Sequence, residues 1–176
     1  MAMKNADILQ LAIERRLEEK YDEMEVKLKK HCDDICESAV NFRLDEPNAH
    51  EFTGNLLNSI AVALYRRGKL VQATFSSSMV PGAIAPKMTT DKFYHWKPDW
   101  QGDERTFRAD VKTDEGYGKY DAQSFVVYYN PDKKAVFEIV CAYTTEYAKW
   151  VEQQRNTTGF LNTVQYIEIN TPKVIQ

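Results

Sequence analysis

A chain of 176 residues, 43% hydrophobic and 28% charged, has the balance of one globular domain large enough to bury its own core. Its formal charge of −3 argues against a general nucleic-acid binder, which needs a basic face to neutralise phosphates. No apolar run approaches the roughly 20 residues of a membrane span, Met1 to Gln10 lacks a secretory pattern, and three cysteines are too few for a disulfide framework. The composition reads as that of a soluble protein made in the cytosol, with no membrane partner.

The first predicted element is a helix from about Asp7 to Leu44, free of Gly and Pro, with Asn5 as its cap. From Leu17 the apolar positions step by three or four through Tyr21, Met24, Leu28, Cys32, Ile35, Ala39 and Phe42, which makes one stripe for a core. Pro47 closes the helix. Thr53-Gly54-Asn55-Leu56-Leu57-Asn58-Ser59-Ile60 reads as a one-turn helix feeding a strand through Ile60, Val62 and Leu64. Arg66 to Lys69 is a turn, and Leu70 to Phe75 is the returning strand. A second hairpin is expected from Ser124–Tyr129, the turn Asn130-Pro131-Asp132-Lys133, and Ala135–Tyr143.

Between the two hairpins, residues 76–123 read as an irregular insertion holding three of the six prolines and four of the seven glycines. Its aromatic residues Phe93, Tyr94, Trp96 and Trp100, with Phe107, suit a subunit interface or a platform for sugars or single-stranded nucleic acid, and the acidic balance favours the interface. Thr145 to Arg155 predicts a second helix with Tyr147, Ala148, Trp150 and Val151 inward. Phe160 to Ile169 fits a helix or a strand equally. The fold class is therefore α+β: a long N-terminal helix and a second helix on a small, mainly antiparallel sheet, in one domain over residues 1–176.

Catalytic chemistry is not written in the sequence. Cys32 and Cys36 stand one helical turn apart, but zinc needs two further ligands and His31 points off their face. Cys32 also lies on the apolar stripe, where a thiol behaves as a small hydrophobe. No nucleophile elbow or phosphate loop is present, and Gly116-Tyr117-Gly118 lacks the strand–helix setting of a dinucleotide site. The chain reads as non-enzymatic, with no cofactor and no metal.

Two segments carry a resemblance. Thr53, Gly54, Leu56, Ser59 and Ile60 match a TG-x-L-x-x-SI signature. Tyr147, Ala148 and Glu152, followed by Gly159, Phe160 and Leu161, are similar to a YA-x-x-x-E … GT … FL element. Their order after a long helix resembles the neck and tail-completion proteins of tailed bacteriophages, the minor tail components or head–tail connectors. Asn48 to Phe52 stands where members carry a Pro-rich loop, and Thr-Thr-Gly replaces their Gly-Thr.

The resemblance implies a virion structural protein, assembled in the host bacterial cytoplasm. It forms a six- or twelve-fold homo-oligomeric ring at the neck, against portal or adaptor and tail proteins. Genomic DNA passes through the channel without sequence recognition. The competing expectation is a ligand-binding module that uses the aromatic segment 93–107.

Overall fold

The computed structural model describes residues 5–45, 54–79, 93–96, 105–108, 117–146, 148–149, 152 and 158–175, with 93–96 and 105–108 described by backbone alone. The fold is α+β. Helix α1 spans Asn5–Leu44, about 60 Å at 1.5 Å per residue. Asn5 is already helical rather than a cap outside the helix. Leu28, Cys32, Ile35 and Ala39 are buried on the predicted stripe, with Met24 packed beside them. Leu17, expected on the same stripe, is 47% exposed. Its turn lies beyond the end of the sheet.

Strands β1 (Ile60–Arg66) and β2 (Lys69–Phe75) form the expected hairpin. Arg67 (φ 50°) and Gly68 (φ 76°) make its two-residue turn, and two positive φ values are what the twist of a tight hairpin favours. A short α2 (Asn55–Asn58) precedes β1, and a 3-10 turn at Ser76–Ser78 follows β2.

Two expectations need correction. Ser124 to Tyr129 is not a strand, because Tyr117–Tyr128 forms helix α3. Its β-branched and aromatic residues favour a strand locally, but Gly118, Ala122 and Val126 recur every four residues and form a packing face. Ala122 and Val126 cover Ala61, Ala63 and Tyr65 of β1, and that burial overrides propensity. The second hairpin therefore does not form. The turn falls at residues 132–135, where Ala135 N–H donates to the Asp132 carbonyl, and the strand after it, Phe137–Tyr143, instead pairs antiparallel with β1, from Ile60↔Tyr143 to Arg66↔Phe137.

The insertion is also not wholly irregular. It holds an antiparallel ribbon, β3 (Phe93–Trp96) with β4 (Arg105–Arg108), and the start of α3. The strand Phe137–Tyr143 is β5, and the three-stranded sheet runs in the order β2-β1-β5. Phe160–Ile169 is helical, inside α4 (Gly159–Val174). Of the helix predicted over Thr145–Arg155, the described residues Ala148, Lys149 and Glu152 are helical; Tyr147, Trp150 and Val151 lie outside the described residues.

Strand β1 is buried on both faces. Ile60, Val62 and Leu64 meet α1 in a core that Tyr166, Ile167 and Val174 of α4 complete, and the alternate residues meet α3. The sheet therefore lies between α1 with α4 on one side and α3 on the other.

Candidate functional site

The residues that carry the resemblance come together from three stretches, 54–60, 148–152 and 159–161, the first far in sequence from the other two. Thr53 lies outside the described residues. Gly54 has φ 71°, a left-handed conformation that costs other residues about 1 kcal/mol or more. It starts α2 at an angle that buries Leu57 against α1 and turns Leu56 toward Ala148. The Ser59 hydroxyl donates to the Leu56 carbonyl at 2.7 Å and so closes this single turn. The Ser59 carbonyl in turn accepts from Thr144 N–H at 3.1 Å, next to β5.

Ser76, which no motif singled out, donates to the Leu57 carbonyl at 2.6 Å and accepts from Ile60 N–H at 3.2 Å. Asn55 accepts through Oδ1 from Gly118 N–H at 3.1 Å, tying α2 to α3. A β-carbon on Gly118 would overlap the Asn55 carbonyl oxygen, so only glycine permits this approach.

The third segment joins through a carboxylate. Glu152 Oε1 accepts from Phe160 N–H at 3.0 Å, in the first turn of α4, where unpaired N–H groups and the helix dipole favour negative charge. Gly159 is buried, packed in ordinary contact against the backbone of Arg43 near the end of α1. Phe160 stands edge-on to Tyr143, with ring centroids 5.5 Å apart. The Tyr143 hydroxyl donates to the Ala39 carbonyl at 3.2 Å, and burial pushes its phenol well up from the ordinary value.

These segments enclose an open groove of about 430 Å³. Its walls are Leu56, Tyr143, Ala148, Phe160, Leu161 and Val164, with Lys149 and Glu152 at the rim. Phe160 is 42% and Leu161 52% exposed, so both apolar side chains face solvent. The Glu152 carboxylate is engaged at the start of α4, and the groove is suited to holding apolar side chains. A second groove, of about 480 Å³, lies between the middle of α1 and the end of α4 and is lined by Met24, Phe137, Ile167 and Ile175 among others.

Beyond the sheet, α1 leaves the body. The hairpin tip holds it by an ion-pair cluster: Arg66 donates to Glu18 (2.8 Å), Asp22 (2.6 Å) and Glu25 (2.9 Å), and Arg67 also pairs with Glu18. The arginine hydrogen bonds hold the Glu18 carboxyl below its ordinary value; Lys29 first and Arg66 second do the same for Glu25. Ahead of Glu18, Ile8, Leu9, Leu11 and Ile13 are 52–63% exposed. Sequence reading stopped the stripe at Leu17 and missed this overhang, although its four aliphatic residues within six positions are a visible signal.

The thiols are core elements. Cys32 and Cys36 are fully buried beside Cys141 of β5, and burial pushes each thiol up to about 12, far from a reactive thiolate. His31 is buried rather than turned to solvent: Nε2 lies 3.0 Å from Thr171 Oγ1, and the ring stacks on Tyr166. Among the described residues, no group of three or more His, Cys, Asp or Glu side chains is arranged to hold a metal ion, and no helix is long and apolar enough to cross a membrane.

Of the interface candidates, Phe93, Tyr94 and Trp96 lie on β3, where Tyr94 pairs with Phe107; Trp100 lies outside the described residues. No family model, curated protein or solved structure matches the chain at a significant level.

Proposed function

We propose that the chain is a structural virion protein of a tailed phage or prophage, one subunit of the ring-shaped neck that joins head to tail. Its work is mechanical. Copies pack around an axis, contact portal or adaptor and tail proteins, and leave a channel through which genomic DNA passes without sequence recognition.

The observation that carries this reading is the overhang of α1. A monomer gains nothing from four turns of helix that project past its core with aliphatic side chains in water. Local pairs such as Arg15–Glu19 and Arg16–Glu19 contribute only about 0.3–0.5 kcal/mol each, and isolated helices of this length are marginal. A neighbouring subunit supplies the burial that is missing. The ordered resemblance of the Gly54–Ile60 and Ala148–Leu161 segments to neck proteins supports the same reading.

Electron microscopy of the labelled chain mixed with portal-bearing heads tests it. Label at the head–tail joint is expected; label spread over capsids or absent from particles contradicts a place in the neck.

A further inference from the structure

We infer that the N-terminal turns of α1 in one copy, through their exposed Ile8, Leu9, Leu11 and Ile13, dock in the groove of Leu56, Phe160 and Leu161 on the next copy, so that subunits join head to tail. This rests on the assembly reading and adds the contact that builds it.

The occupant follows from where the two surfaces lie. The overhang begins ahead of Glu18, the first α1 residue tied to the hairpin tip. The groove lies at the other end of α1, where Gly159 of α4 packs on Arg43. Leu17 and Arg43 are separated by about 39 Å of helix axis. A continuous helix cannot bring its first turns to its own groove, so if an overhang of this sequence fills the groove it comes from another copy. Two complementary surfaces at opposite ends of one subunit make a heterologous contact, which closes into a ring when the rotation allows.

Part of the overhang's aliphatic surface is also turned away from its own body. At 3.6 residues per turn, eighteen residues make five full turns, so Gln10 lies in line with Leu28 and Glu14 with Cys32. The strip that continues the core stripe therefore carries Gln10 and Glu14, with Gln10 donating to Glu14 at 2.9 Å, alongside Ile13 and Leu17, which fall in line with the buried His31 and Ile35. Ile8, Leu9 and Leu11 occupy the rest of the circumference, in line with Val26, Lys27 and Lys29, none of which is buried. Entering the groove, they leave the Gln10–Glu14 strip toward the rim, where the exposed Lys149 offers the opposite charge to Glu14.

Area argues against a simple pair of overhangs. The five half-exposed aliphatic residues from Ile8 to Leu17 offer roughly 450 Å², about half of the ~800 Å² that each partner of a stable complex buries. Such a contact is weak alone and becomes stable when every subunit makes it twice in a closed ring.

Cysteine pairing tests the contact in the full chain. The double variant Ile8→Cys with Leu161→Cys, under mild oxidation, is expected to give a ladder of cross-linked oligomers that neither single variant gives. Both positions are exposed; Cys32 and Cys36 are buried, and the half-buried Cys141 has its thiol pushed up to about 12, so the native cysteines stay out of the reaction. Unchanged circular dichroism checks the fold. Leu161→Glu, also exposed, is expected to lose every species above monomer with an unchanged melting temperature.

No ladder from the 8/161 pair, while rings are seen by electron microscopy, overturns the docking and leaves the ring reading intact. A single dimer band from Ile8→Cys with Ile175→Cys, at the second groove, replaces it with a two-fold exchange. A chain that gives no ladder and stays monomeric even beside portal and tail partners overturns both readings.

Discussion

Gly54 and Glu152 show how single residues set the groove. Gly54→Ala forces a side chain into the left-handed region and is expected to cost about 1 kcal/mol in urea unfolding. Glu152→Ala removes the acceptor at the start of α4 and is expected to cost about 1 kcal/mol. His31 carries a pH dependence. Burial lowers its folded pKa below the ordinary 6.5, against a smaller opposing effect of Asp34. Its contribution to stability is therefore present above 6.5 and is lost as pH falls from there toward the folded value. The urea midpoint is expected to hold above about pH 6.5 and to drop as pH falls below it, and His31→Gln to flatten that slope; a slope that the substitution leaves unchanged would assign it to other groups. At this scale the sequence was partly legible. Gly54, Ser59 and Glu152 were visible as a pattern, and Ser59 and Glu152 bond to the nearby Leu56 and Phe160, but the contacts that gather them into one groove, Thr144 on Ser59 and Ala148 on Leu56, come from far along the chain. Ser76 and Asn55 carried no signal, because a lone Ser or Asn looks the same in a loop and in a buried network.

Among the elements, α1 and the β1–β2 hairpin were legible because each carries its own periodicity and turn chemistry. Helix α3 was not. Its Phe125-Val126-Val127-Tyr128-Tyr129 run has strand propensity, and only the Gly118–Ala122–Val126 spacing indicated a helix under the sheet. The two parts of α1 are expected to behave differently. Leu28→Ala opens a cavity in the core and is expected to cost about 3 kcal/mol, whereas Ile8→Ala is expected to change monomer stability by less than about 0.5 kcal/mol. Amide hydrogen exchange checks the same division: protection is expected from Leu28 to Val40 and near-absent protection from Ile8 to Leu17 in the monomer. Equal protection along the whole helix would mean that the overhang is held by its own body.

The whole molecule has an apolar projection at one end and an apolar groove at the other, and Cys32, Cys36, Cys141 and His31 are occupied in packing. Motif order suggested a building block, but the distance between its exposed aliphatic turns and its apolar groove became legible only once the fold had set them at opposite ends of α1. The ring itself is the central claim. Native mass spectrometry of the purified chain, alone and mixed with portal and tail partners, addresses it most directly. A closed species of six or twelve copies is the expected result, and a chain that remains monomeric beside those partners would contradict the account.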